Sequence, residues 1–321
     1  MVAAPFRPGR GGSLGQLPTS LEIDEARARW RELAGEDAGL GPIAAFHDER
    51  LAQIAARPAA EVYVDIGADT AAAAIRDGIP LLQAGRLSVD PDDVREELRR
   101  VARNLAETAE LGTPAQRAAE VLANVTLDIA PLLGPALGGD AATIEREASR
   151  RELDATALTQ LLDLALQPFL WEAAAQLGTL TDMDRWDRGY CPVCAAWPAL
   201  AELVGPEKKR VLRCVRCGTA WSWLILLCPY CGNDDHRSLR SLQEEGGAQR
   251  IDVCERCHGY VKAVQSYAAT SAVRVVAEDV ATLDLDVAAA GAGYKRPGDV
   301  SVEGAGIPRL VREGRALRPP G

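Results

Sequence analysis

An α+β fold is predicted for this chain, with a helical N-terminal domain followed by two small hairpin-built modules rich in cysteine. Three observations predict it. Apolar residues recur at helical spacing between residues 20 and 180. All eight cysteines are absent from residues 1–190, crowd into residues 191–257 as CxxC pairs, and then vanish. Residues 184–270 also shift to short runs of Trp, Tyr, Val and Ile, as in VLRC, TAWSWLILLC, QRIDVC and GYVKAVQSY, which are strand signals for short hairpins.

Within the helical stretch, Leu158, Leu161, Leu162, Ala165, Leu166 and Phe169 share one face, and Pro168 predicts a kink there. Asp90-Pro91-Asp92-Asp93 supplies a cap and an early proline for a charged helix. The apolar stripes make a bundle core and carry no functional message. The expected divisions are a disordered N-terminus (1–18), an α-helical domain (19–183), two modules over 184–275 (about 184–222 and 223–275), a C-terminal segment packed on them (276–296) and a disordered tail (297–321).

With 321 residues, 47% of them hydrophobic, the chain can bury two ordinary cores. Its formal net charge of -10 argues against a general nucleic-acid coat protein. Its longest apolar runs fall far short of a membrane span, so no membrane insertion is expected. The N-terminal MVAAPFRPGRGGSLGQLP has no apolar export region, which predicts a cytoplasmic protein with reduced thiols.

In that compartment, paired cysteines point to metal. The pairs are Cys191/Cys194, Cys214/Cys217, Cys228/Cys231 and Cys254/Cys257, with long gaps after the first and third pairs and a short gap after the second. A CxxC turn puts two thiolates on one side of a metal, and two such knuckles close a tetrahedron. The two long gaps suit a ribbon within a module and the short one a connection between modules. The expected sites are therefore Cys191, Cys194, Cys214, Cys217 (site 1) and Cys228, Cys231, Cys254, Cys257 (site 2), with an interleaved pairing as the less economical alternative. A weak internal repeat supports two modules, since CPVC followed by CVRCGTAW is answered by CPYCG followed by CERCHGY at a similar spacing. Gly218, Gly232 and Gly259 fit the tight turn after a knuckle. All-sulfur coordination suits zinc or iron, and closed sites leave no position for substrate.

Other readings are weaker. Cys254-Glu255-Arg256-Cys257-His258 matches a haem attachment pattern, but no export signal accompanies it and the third knuckle needs a partner. A basic cluster, Lys208, Lys209, Arg210, Arg213 and Arg216, leaves open a nucleic-acid-binding zinc ribbon. Yet residues 191–267 balance to only +2 before two four-thiolate sites add negative charge, so a solvated face or protein contact is favoured and no nucleic acid is expected. His47, His236 and His258 are scattered, and no nucleophile set, phosphate loop or dinucleotide fingerprint is present, so no catalytic residue is predicted and the chain is expected not to be an enzyme.

Arg188-Gly189-Tyr190-CPVC, LRCVRCGTAW, LLCPYCG, DVCERCHGYVK and EDVATLDLDVAAAGAGY, in this order after a helical domain, resemble the formate dehydrogenase accessory protein FdhE family. GIPLL (Gly78 to Leu82) and ALQPFLWEAAAQL add to the resemblance, which covers roughly residues 20–296. It implies two tandem rubredoxin-like (zinc-ribbon-like) modules, two metal ions with iron favoured and zinc possible, and a cytoplasmic maturation factor. The implied partner is the catalytic subunit of formate dehydrogenase. An electron-transfer protein of rubredoxin type is the remaining alternative. One departure is Ala195-Ala196 after the first knuckle, where the family often has a glycine-containing turn.

Overall fold

A computed structural model describes residues 17–57, 59–109, 112–124, 127–243 and 249–297. Of the two segments expected to be disordered, 1–16 and 298–321 lie outside the described residues. The helical part runs α1 (Ser20–Glu36), α2 (Gly41–Ala55), β1 (Val62–Asp65), α3 (Ala68–Asp77), α4 (Leu81–Ala84), β2 (Arg86–Val89), α5 (Pro91–Thr108), α6 (Pro114–Asn124), α7 (Ala130–Gly138), α8 (Ala141–Arg150) and α9 (Ala155–Gly178). Six strands follow: β3 (Leu200–Val204), β4 (Lys209–Arg213), β5 (Ala220–Ser222), β6 (Leu239–Gln243), β7 (Gln249–Cys254) and β8 (Tyr260–Ser266). Then come α10 (Val275–Val280) and α11 (Leu283–Gly291). The α+β fold class read from the sequence is the one found.

Capping residues start several helices where the sequence suggests. Thr19 accepts from Glu22 N, Asp90 from Asp92 N and Asp154 from Ala157 N. Two short strands, β1 and β2, interrupt a region expected to be helical throughout, and they pair antiparallel from Val62↔Val89 to Asp65↔Arg86. Short as they are, and with α3 and α4 between them, they show no hairpin signal in the sequence.

Helix α9 is the axis of the core, with Leu158, Leu161, Leu162, Ala165, Leu166 and Phe169 all buried. It continues through Pro168. A proline there cannot donate to the carbonyl of Leu164. That carbonyl instead accepts from Arg50 Nη2 at 2.6 Å, while Arg50 Nη1 donates to Gln167 Oε1 at 2.9 Å. The side chain that covers the gap thus comes from α2.

The six strands form one sheet in the order β5-β4-β3-β8-β7-β6. Each ribbon is antiparallel, but β3 and β8 pair in parallel from Leu200↔Lys262 to Val204↔Ser266. The two ribbons therefore share a sheet, a long-range pairing that local hairpin signals do not encode. A single apolar cluster runs from Phe46 and Leu98 through α9 to Cys191, Cys217 and Trp221 and on to Cys228, Tyr230, Cys254 and Val261, so helical part and both ribbons have a common core.

Helices α10 and α11 return to this frame. Val273 and Ala277 pack with Trp30 and Trp171, and Ala289 packs with Ile251 and Tyr260. Lys262, completely buried in β8, binds Asp279 Oδ1 at 2.8 Å and Asp286 Oδ2 at 2.7 Å, and Arg296 binds both carboxylates from the other side. No helix among the described residues is long and apolar enough to cross a membrane.

Candidate metal centres

The four knuckles have the same backbone. The amide of the first cysteine donates to a carbonyl just beyond the turn, namely Ala196 O, Thr219 O, Asn233 O and Gly259 O at 2.8–3.0 Å. The amide after the second cysteine donates back to the first, from Ala195, Gly218, Gly232 and His258 at 2.8–3.1 Å. That last residue is left-handed in every case, with φ of 66°, 72°, 65° and 54°. Glycine takes this conformation freely, whereas alanine and histidine are strained in it. Gly259 therefore does not have the turn role expected for it: His258 fills that position. Gly259 is required because a Cβ there would stand 2.6 Å from Tyr230 Cδ2 and 3.2 Å from Cys257 Sγ.

The structure brings the cysteines together as Cys191, Cys194, Cys214, Cys217 and as Cys228, Cys231, Cys254, Cys257, and in each group all sulfurs lie within 4.8 Å of one another. Across knuckles, Cys191–Cys217 and Cys194–Cys214 are 3.5 Å apart, and Cys228–Cys257 and Cys231–Cys254 are 3.7 Å apart. A metal–sulfur distance of about 2.3 Å makes a tetrahedron with edges of about 3.8 Å, so both donor sets fit a four-coordinate ion. Soft sulfur-only donors suit zinc or iron.

The thiols within each group influence one another electrostatically. Burial pushes the Cys191 thiol well up, while hydrogen bonds from Cys191, Cys214 and Cys217 pull Cys194 well down. In the second group, the hydrogen bond from Cys228 draws Cys257 down to about 5, and burial raises Cys231 to about 11. Crowded thiolates oppose one another's ionisation, and a divalent ion held by all four would relieve that opposition. Thr219 Oγ1 stands 3.0 Å from Cys217 Sγ, and Asn233 Nδ2 donates to Cys254 Sγ at 3.5 Å.

Site 1 is locked into the helical part. Leu81 N and Leu82 N, the start of α4, donate to Pro192 O and Val193 O of the first knuckle at 2.8 and 3.0 Å, and Tyr190 Oη donates to Gly78 O at 2.7 Å. Gln167 Nε2 of α9 donates to Val215 O of the second knuckle at 2.7 Å. Arg216 pairs with Asp163 at 2.9 Å and donates to Ala136 O and Leu137 O. Sequence reasoning missed these clamps. Their only trace is the GIPLL and ALQPFL segments, which carry no visible chemistry.

The two groups also share an upstream tryptophan. Trp186 Nε1 donates to Tyr190 O and Trp223 Nε1 to Leu227 O, in each case the carbonyl just before the first cysteine. The internal repeat thus starts at these tryptophans, earlier than the cysteines suggest. Edge-to-face rings Trp186, Tyr190, Trp197 and Tyr230 link the groups at centroid spacings of 5.4, 5.9 and 5.4 Å.

The basic cluster between the first knuckles is solvated at the exposed Lys208 and the half-buried Lys209, while its arginines turn inward. Arg213 is buried against Glu202 at 3.2 Å, Arg210 against Asp252 at 3.3 Å, Arg216 meets Asp163, and Lys209 pairs with Glu207 at 2.9 Å. Arg210 and Arg213 of β4 are thus spent on internal carboxylates. His47 is a core residue: it stacks on Trp30 at 4.3 Å, and burial, aided by Arg50, lowers its pKa to about 3.

Residues 226–301 match the family model "FdhE, C-terminal domain". The chain is 34% identical over 101 residues to a "Protein FdhE homolog" of Shewanella baltica (strain OS223), covering 31% of this chain and 33% of that protein. It is 32% identical over 133 residues to the Aquifex aeolicus homolog (40% and 46%) and 35% identical over 147 residues to that of Stutzerimonas stutzeri (41% and 47%). The chain thus spans a third to just under half the length of these curated relatives. The crystal structure of the FdhE protein from Pseudomonas aeruginosa shares the fold, with a TM-score of 0.57 at 22% identity over 88% of this chain and 95% of that one. Knuckle order, domain model and relatives agree on what this chain is similar to, the FdhE proteins, with the FdhE C-terminal domain matched over residues 226–301.

Proposed function

We propose that the chain is a cytoplasmic maturation factor for formate dehydrogenase that acts without catalysing a reaction and binds the catalytic subunit through a fold held by two metal ions. The observation that carries this reading is the embedding of the first four-cysteine group between α4, α9 and the sheet in a chain with an FdhE C-terminal domain. Ions at Cys191, Cys194, Cys214, Cys217 and at Cys228, Cys231, Cys254, Cys257 supply structural cross-links. Neither leaves a coordination position for substrate. Iron is the favoured occupant and zinc the alternative.

The test is an anaerobic pull-down from cells making formate dehydrogenase, with tagged wild type beside a Cys214→Ala/Cys217→Ala variant. Recovery of the catalytic subunit with wild type alone is the expected result. Recovery with neither, when both proteins are abundant, overturns the reading. An electron-transfer role is a second reading, favoured by the solvent exposure of Cys257 in the second group. It requires a coloured, iron-loaded protein with a reversible one-electron couple, which an absorption spectrum during titration with dithionite detects.

A further inference from the structure

The two cysteine groups differ in how they are enclosed. In the first, Cys191, Cys194, Cys214 and Cys217 are between 0% and 6% exposed. In the second, Cys228 and Cys254 are buried, Cys231 is half-buried and Cys257 is exposed. The difference follows from what each knuckle packs against.

Both knuckles of the first group are pinned by side chains and amides of the helical part: Leu81, Leu82, Gln167 and Asp163 all bind them. Opening that group means displacing α4 or α9, which are core elements. Knuckles of the second group share the apolar core through Leu227, Cys228, Tyr230 and Cys254, but their hydrogen bonds run within their own ribbon and to the C-terminal segment. Tyr230 Oη donates to Tyr260 O at 2.8 Å, and Glu255 N donates to Ser238 O at 2.9 Å. The outer cover beside Cys257 is a short stretch of the C-terminal segment. There Gly259 bridges Lys295, and Tyr294 Oη donates to Glu255 at 3.0 Å.

We infer that the second group is an exchangeable metal site, whose ion can enter and leave through the Cys257 face while the first group keeps the molecule folded. This rests on the proposal that both groups hold metal. The physical basis is that thiolate ligands are displaced by attack at an accessible sulfur or metal, and that local opening is cheapest where few buried contacts must break. Cys257 offers the access. The knuckle turn containing it, Cys254 to His258, can loosen without breaking a hydrogen bond to α4 or α9. A soft divalent ion of zinc or iron type is the expected cargo.

The experiment uses the full chain as purified, with metal content measured first. Excess 4-(2-pyridylazo)resorcinol reports released metal, while samples are alkylated with iodoacetamide and mapped by peptide mass spectrometry. One equivalent per chain is expected to leave about tenfold or more faster than the other, as local opening outpaces opening of the core. Cys228, Cys231, Cys254 and Cys257 are expected to be alkylated with it, while the first four cysteines stay protected and far-ultraviolet dichroism is unchanged. A Cys257→Ser variant is expected to lose the fast phase. If it fails to fold, the alkylation map of wild type still decides.

Release of both equivalents together, early alkylation of Cys191 to Cys217, or loss of helix during the fast phase overturns the inference and leaves the metal reading standing. Purification with no metal at either group overturns both.

Discussion

Ala195 carries a left-handed backbone in a position that two of the other three knuckles give to glycine. An L-residue pays about 1–2 kcal/mol for that conformation, against the roughly 0.5–1 kcal/mol by which glycine favours the unfolded chain. Ala195→Gly is therefore expected to raise stability by up to about 1.5 kcal/mol, read as a higher urea midpoint at unchanged slope. A lower midpoint would mean that the alanine methyl makes a contact worth more than the strain. Gly189 behaves in the opposite way. A Cβ there would stand 1.7 Å from Pro229 O, the backbone of the third knuckle, so Gly189→Ala must push that knuckle outward. Its expected cost is about 3 kcal/mol or more, the upper end for overpacking, with loss of metal from the second group as the specific readout. The arginine-glycine-tyrosine run before the first knuckle is thus legible in the sequence as a motif. Its physical reason is Pro229, which belongs to the other cysteine group and cannot be found from the motif itself.

At the scale of elements, the cysteine spacing favours, over the interleaved alternative, the same two groups of thiols that the fold brings together, because each ribbon closes over a short stretch of chain. What spacing does not contain is how a ribbon is held by something distant. The parallel seam of β3 and β8 joins Leu200 to Lys262, and the α4 clamp joins Leu81 and Leu82 to Pro192 and Val193. Both pairings unite segments far apart in the chain. The same is true of the device that carries α9 through Pro168. Arg50 fills the unmet Leu164 carbonyl and grips Gln167, which in turn holds Val215 of the second knuckle. Burial lowers the Arg50 pKa to about 10, so the guanidinium remains charged at neutral pH. Replacing it with leucine leaves a buried carbonyl without a donor and frees the Gln167 amide oxygen. Arg50→Leu is expected to destabilise by about 1–3 kcal/mol. It should also speed metal release from the first group, and a variant that melts earlier with unchanged release would detach α2 from the metal centre.

For the whole molecule, one apolar core runs from the helical part into both ribbons, and His47, packed edge-on against its Phe46, sets how stability responds to acid. Folded, His47 stays neutral down to about pH 3, because burial and the nearby Arg50 charge oppose its protonation. Unfolded, it takes up a proton near pH 6.5. Between those values the unfolded chain binds more protons, so stability rises with pH and falls as the solution is acidified. The loss contributed by this group is at most about 1.4 kcal/mol per pH unit, starting below about pH 6.5. Acid also protonates thiolates and expels metal, so wild type alone does not isolate the effect. His47→Gln keeps a polar planar side chain against Trp30 but has nothing to titrate. It is expected to be less stable than wild type at pH 7.5, through lost stacking, and to close much of that gap by pH 5.5, since only wild type loses the His47 contribution on the way. Urea midpoints of both proteins at the two pH values measure this. Because the core is shared, the helix signal at 222 nm and tryptophan fluorescence, four of whose six emitters (Trp186, Trp197, Trp221 and Trp223) lie in the ribbon region, should report one midpoint in each protein. A helical transition that precedes the ribbon transition, with parallel pH slopes for variant and wild type, would mean that His47 sits in a domain that folds apart from the metal centres.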